Sequence, residues 1–196
     1  MGQVKNYDAV LVGPGLSLKA QGFIEKLLTI DHAVWQSAIL DADALNVLAQ
    51  IDEWWKRVPA PAILTPHPGE MLRLTQLSRE ALDADRVGVA RKFSALWGHV
   101  VVLKGAFTVI AAPDNRTTIM PFANPALATA GSGDVLAGAI AALRGQGLPA
   151  YEAAIAGAYV HGLAGEIARR EMGSSGVMAG DLLDRLPRAI ELCRSM

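Results

Sequence analysis

Cysteine is almost absent: Cys193 is the only one in 196 residues. A disulfide within the chain is excluded, and the composition suits a reducing compartment. Charge of either sign is scarce. Lys and Arg number 18, Asp and Glu 19, and together they make up 19% of the residues. The resulting formal charge of -1 supplies no broad basic field for nucleic acid or an anionic membrane, though it leaves room for a local anion site. Long apolar runs are missing too. The most apolar region, Ala153 to Gly165, is interrupted by His161, is built of small residues and is too short to cross a bilayer. The opening residues, Met1 to Asp8, lack the apolar stretch of a signal peptide, and Asn6 stands where a myristoylation signal needs Ser or Thr. A soluble cytoplasmic protein is the expectation. There is no GxxxxGK[ST] phosphate loop, no metal-ligand spacing among His32, His99 and His161, and no nucleophile motif around Cys193.

What is present is aliphatic. Hydrophobic residues make up 52% of the chain, which excludes a disordered protein. The length fits a single α/β domain over residues 1–196. Short apolar runs at Ala9–Val12, Ser37–Leu40, Ala62–Leu64 and Val100–Leu103 predict strands. Between them, helical periodicity covers Ser17 to Ile30, with Ser17 as N-cap, then Asp41 to Gln50, and Arg79 to Trp97 with a weak point at Gly88. Phe107–Ala112 and Thr117–Met120 flank Pro113-Asp114-Asn115 as a hairpin. Helices follow over Asp134–Arg144, Tyr151–Arg170 and Gly180–Cys193. Strands alternating with helices predict a mostly parallel sheet covered on both faces, with ligands beyond the carboxyl ends of the strands.

The polar motifs fall at those ends. Gly131-Ser132-Gly133-Asp134 opens a helix. The glycines allow close backbone approach, and the helix N-terminus favours an anion such as phosphate. Asp134 would repel phosphate, so it makes sense as a base on a neighbouring hydroxyl, or simply as an acidic residue suited to a first helical turn. Lys104, at a strand end before Gly105, could pair with phosphate or be a solvated strand-end lysine, and Thr108 could be a plain strand residue. In Thr65-Pro66-His67-Pro68-Gly69-Glu70 the prolines fix His67, which could donate to a substrate. Pro68 suits a first helical position, and Glu70 reads as structural. Asp41 and Asp43 could orient a substrate or hold magnesium through water, or Asp43 could cap a helix. Gly13-Pro14-Gly15-Leu16-Ser17 is a glycine-rich turn but not GxGxxG, and Trp54-Trp55 reads as packing or an interface.

Taken in order, Val12 to Leu16, Leu40 to Asn46, Leu64 to Glu70, Leu103-Lys104-Gly105 and Asn124 to Gly138 resemble the ADP/ATP-dependent NAD(P)H-hydrate dehydratases, repair enzymes of the ribokinase-like superfamily. The resemblance covers nearly the whole chain. It implies a ribokinase-like three-layer fold with ADP or ATP as co-substrate, Mg2+ on the nucleotide phosphates, and a homotetramer. Hydrated NADH or NADPH would lose the hydroxyl of its damaged ring after activation by the nucleotide's terminal phosphate. Asp134 would be the base and Gly131, Ser132 and Gly133 the anion hole. Lys104, Gly105, Ala106, Phe107 and Thr108 would border the nucleotide, and Gly13, Gly15, His67 and Asn124 the hydrated cofactor. Ser17 replaces a glycine usual in the family, and the family carries several dozen further residues before the first strand seen here, so the fold is expected to be N-terminally short. A ribokinase-like small-molecule kinase and an inactive nucleotide-binding fragment are the alternatives.

Overall fold

The computed structural model describes residues 7–27, 35, 37–58 and 61–195. Among them, one sheet runs in the order β1 (Val10–Val12), β2 (Ala38–Leu40), β3 (Ile63–Leu64), β4 (Val100–Leu103), β5 (Val109–Ala111) and β6 (Thr117–Ile119). The first four strands are parallel, and β5 and β6 add an antiparallel hairpin. The register sets Val12 beside Leu40, Leu40 beside Leu64 and Leu64 beside Val101. Gly13, Asp41 and Thr65 therefore leave the sheet side by side. The Lys104 N–H donates to the Pro66 carbonyl at 2.8 Å and extends that row past β4.

The pleat divides the strand side chains between two cores. Leu40, Leu64, Val101 and Leu103 pack on one face with Leu45 and Leu48 of α2 (Asp43–Leu48), Met71 of α3 (Pro68–Thr75) and Phe93 and Trp97 of α5 (Arg86–Trp97). Ile39, Ile63, Val100, Val102 and Ile110 face the other way, onto α6 (Ser132–Gly145) and α7 (Ala150–Met172). This is the expected layered arrangement. The small residues of Ala153 to Gly165 serve core packing: a Cβ on Gly157 would meet the Ile140 backbone, and one on Gly162 or Gly165 would run into Phe122 or Leu127.

Several boundaries differ from expectation, each for a local reason. Ser17 does not cap a long helix. It sits at φ 58, its N–H donates to Asp43 Oδ2 at 2.8 Å, and a 3₁₀ turn over Leu18–Ala20 leads into α1 (Gln21–Leu27). The expected continuation to Ile30 lies outside the described residues. The second helix starts only at Asp43 because Ala42 has φ 48. The region Arg79 to Trp97 is two helices, α4 (Arg79–Ala84) and α5. The break is at Asp85, whose carboxylate accepts the Gly88 N–H at 2.7 Å, so Gly88 is the residue that makes room for a cap. The last helical stretch likewise splits into α8 (Ala179–Leu183) and α9 (Leu186–Arg194), with Pro187 in the first turn of α9. Among the described residues no helix is long and apolar enough to cross a membrane.

Candidate active site

A cavity of about 530 Å³ opens beyond β4 and β5, against the amino end of α6. His67, Lys104, Gly105, Ala106, Thr108, Asn124, Ser132 and Gly133 line it, so most of the residues expected to bind ligands do come together. Met120, Phe122, Leu136 and Ala158 give it an apolar wall. Gly13, Gly15, Phe107, Gly131 and Asp134 do not line it. Phe107 is exposed at φ 54, with its N–H on the Phe122 carbonyl at 2.8 Å. Asp134 is exposed in the first turn of α6.

The anion hole expected over Gly131, Ser132 and Gly133 is narrower than the glycine pattern suggests. The Ser132 N–H turns back to the Thr129 carbonyl at 3.2 Å and the Asp134 N–H to the Gly131 carbonyl at 3.1 Å. What these residues offer the cavity is the Gly133 backbone and the Ser132 hydroxyl. Gly131, at φ 83, makes the left-handed turn into the helix.

Lys104 is neither a free phosphate ligand nor a solvated lysine. Its Nζ donates to Asp41 Oδ1 at 2.6 Å and stands 3.7 Å from Glu70 Oε2. Lys104 is 15% exposed, Asp41 1% and Glu70 4%. The ammonium is also 3.4 Å from where a Cβ on Gly133 would sit, which places it at the α6 N-terminus. Each carboxylate of the Asp41–Asp43 pair has a partner within the chain: Asp41 Oδ1 accepts from Lys104 Nζ, and Asp43 Oδ2 accepts the Ser17 N–H. Ala42, between them, is held in a region that favours glycine, a strain typical of functional sites. Gly13 presses so closely on the Asp41 carbonyl that no side chain fits there. A continuous run of contacts thus joins Gly13, Asp41, Lys104 and Gly133.

His67 joins Glu70 in a structural role that the sequence pattern suggests for Glu70 and Pro68, and it also has a place in the cavity wall. It is the N-cap of α3, its Nδ1 accepting the Gly69 N–H at 2.9 Å and the Glu70 N–H at 3.4 Å. Glu70 Oε2 accepts the His67 N–H at 2.7 Å and closes a capping box. Because Nδ1 accepts, the neutral ring carries its proton on Nε2, 3.4 Å from Glu70 Oε1 on a half-exposed side chain. Asn124 Oδ1 caps the 3₁₀ turn Pro125–Leu127 by accepting the Ala126 N–H at 2.9 Å. Its Nδ2 is buried in the cavity wall, with no hydrogen-bond partner among the described residues.

Two residues of the site were not singled out from sequence. Arg86, at the start of α5, donates to the carbonyls of Ala106 at 2.8 Å and Lys104 at 3.1 Å and so clamps the lysine turn. A Cβ on Gly105 would meet that guanidinium, which explains the glycine. No sequence signal marks Arg86. His161 also lines the cavity, its Nε2 3.1 Å from Ser132 Oγ. It lies three residues after Ala158 and seven after Ala154, on the buried stripe of α7, so its placement, though not its partner, was legible.

A sequence profile describing NAD(P)H-hydrate dehydratase matches residues 1–188. The bifunctional NAD(P)H-hydrate repair enzyme Nnr of Moorella thermoacetica is 47% identical over 180 residues, which are 92% of this chain and 34% of that protein. This chain therefore spans about a third of that relative's length. The structure is similar to ADP/ATP-dependent NAD(P)H-hydrate dehydratase of Bacillus subtilis, co-crystallised with ATP/Mg2+ and soaked with CoA. That match has a TM-score of 0.82 and 34% identity, and it covers 95% of this chain and 66% of that one. A ribokinase-like superfamily protein of Enterococcus faecalis gives a TM-score of 0.82 at 26% identity, covering 97% of this chain and 65% of the other. The ribokinase-like α/β fold and the profile match agree, and the chain belongs to the NAD(P)H-hydrate dehydratase family.

Proposed function

We propose that this chain takes part in nucleotide-dependent dehydration of hydrated NADH and NADPH, returning them to NAD(P)H. The observation that carries the reading is the cavity of about 530 Å³ at the amino end of α6, where an apolar wall meets Lys104, the Ser132 hydroxyl and an Asn124 Nδ2 without a partner among the described residues. An apolar slot with a few convergent polar groups beside a helix N-terminus suits the base and phosphates of ADP or ATP. Lys104, Gly105, Ala106, Phe107 and Thr108 would border the nucleotide, and Gly131, Ser132 and Gly133 its terminal phosphate. Mg2+ would come with the phosphates, and the Bacillus subtilis relative was co-crystallised with ATP/Mg2+. The hydrated cofactor would lie along Gly13, Gly15, His67 and Asn124. Asp134, exposed at the same helix end, is where a carboxylate could take the proton of the ring hydroxyl as that oxygen attacks the terminal phosphate. The bond joining that phosphate to the rest of the nucleotide breaks as the new one forms, and departure of phosphate with the ring oxygen, together with loss of a proton from the adjacent ring carbon, would restore the ring double bond. Residues 1–196 would act as a single domain in a cytoplasmic homotetramer.

The test is direct. The chain is incubated with hydrated NADH, Mg2+ and ADP or ATP, and the absorbance of reduced nicotinamide is followed together with inorganic phosphate. The reading expects both to rise in step. A stable phosphorylated product without regained absorbance would identify a kinase instead. Nucleotide binding, seen as thermal stabilisation, without either product would identify a non-catalytic binder.

A further inference from the structure

His161 is a buried titratable side chain that the scheme above leaves unused. It is 7% exposed, lines the cavity, and places Nε2 3.1 Å from the Oγ of Ser132, the first residue of α6. Its chemistry there is that of a neutral ring. Burial pushes its pKa down to about 4, and the nearby Lys104 ammonium acts in the same direction, against a hydrogen bond with the Ser132 backbone. Near neutral pH the ring of the unliganded chain is therefore held towards its neutral form.

A neutral imidazole can meet a hydroxyl in two ways. If Nε2 accepts, the Ser132 proton is engaged by the ring and only oxygen lone pairs are left for the cavity, which repel an anion. If Nε2 carries the proton and donates, the Ser132 O–H is free to donate to a ligand. Only the second arrangement suits an anion at this helix end. It matters the more because the Ser132 N–H is already turned back to Thr129. We infer that His161 is a positioning residue: by donating from Nε2 to Ser132 Oγ, it turns the serine hydroxyl into a donor for a phosphate of the bound nucleotide. The inference rests on the nucleotide reading above and assigns the side chain that orients its serine.

The test compares binding of ADP and of adenosine to the full chain and to His161→Leu, His161→Gln, Ser132→Ala and the double variant Ser132→Ala/His161→Leu. Unliganded thermal unfolding of each is the check on folding. Loss of one oriented hydrogen bond to a charged group should weaken ADP binding about tenfold in His161→Leu and in Ser132→Ala. Adenosine, which has no phosphate, should bind each variant as it binds wild type. The double variant should be no weaker than Ser132→Ala, since His161 acts only through the hydroxyl. His161→Gln, with an amide N–H near the same position, should recover most of the loss. In wild type, nitrogen NMR of the imidazole should show Nε2 protonated and Nδ1 bare in the ADP complex. Full ADP affinity in His161→Leu, an equal loss for adenosine, additive losses in the double variant, or a bare Nε2 in the complex would each overturn the inference. The NMR result decides if His161→Leu fails to fold. A wild-type chain that binds neither ADP nor ATP would overturn the nucleotide reading and this inference with it, whereas wild-type binding with unaffected variants overturns the inference alone.

Discussion

Asp134 and Asp41 show how differently two carboxylates can serve one site. Asp134 is exposed at the helix end, as a group meeting a substrate must be. If it takes the hydroxyl proton, Asp134→Asn should lower kcat by about 10²- to 10⁴-fold with KM little changed. Steady-state rates on hydrated NADH measure this, and a retained kcat would remove Asp134 from the chemistry. Asp41 is sequestered, 1% exposed, and holds Lys104 at 2.6 Å. Among the described residues, Asp41→Asn leaves that ammonium partly buried with only Glu70, at 3.7 Å, as its opposite charge, and should cost about 3 kcal/mol of stability in urea unfolding. A loss below about 1 kcal/mol would mean that the pair behaves like a solvated surface one. At this scale the sequence exposes residue type and place on a strand end, and so Lys104 and His67 were legible as candidates for the cavity they line, while Asn124 came only from the family resemblance. It does not expose partners. That Asp41 engages Lys104, 63 positions away, and that Arg86 clamps the same turn are products of tertiary packing, with no periodicity to announce them.

Between elements, α7 contributes Ala158, His161 and Gly162 to the cavity wall. Its glycines face different neighbours, and this separates two kinds of damage. A methyl group on Gly157 would press on the backbone of Ile140 in α6, which cannot yield without parting the helices. Gly157→Ala should therefore lower stability by about 1–3 kcal/mol. A methyl group on Gly162 would run into the ring of Phe122, which lines the cavity, and would displace that ring rather than a helix backbone. Gly162→Ala should weaken nucleotide binding more than it lowers the melting temperature. Calorimetric titration with ADP beside thermal unfolding of both variants distinguishes the outcomes, and the idea fails if Gly162→Ala binds ADP as wild type does. The strands were readable because each apolar run is short and bounded by turn residues. The helix breaks were misplaced where a side chain, rather than a glycine or proline, ends the element: Asp85 stops α4 and caps α5, and Gly88 only accommodates its carboxylate.

At the scale of the molecule, each face of the sheet holds a buried histidine. His99 lies against Trp54, rings stacked with centroids 5.8 Å apart, and its Nδ1 accepts the Ala62 N–H at 3.2 Å. His161 sits on the opposite side, on α7, against Ser132. Burial pushes both down to about 4 from an ordinary value of 6.5. Below pH 6.5 the unfolded chain therefore binds protons at both positions that the folded chain refuses. Stability from this source is complete above about pH 6.5 and is lost as the pH falls towards 4, by an amount on the order of 3 kcal/mol for each histidine. Urea unfolding across that window should show the midpoint dropping steadily on the acid side and staying level just above neutrality. Because the two rings lie in separate cores, their contributions should add. His99→Gln should remove about half of the acid slope, whatever it does to stability at neutral pH. A slope unchanged in His99→Gln would mean that His99 is protonated in the folded chain, and then its stacking on Trp54 would have to be rethought as a cation–π contact.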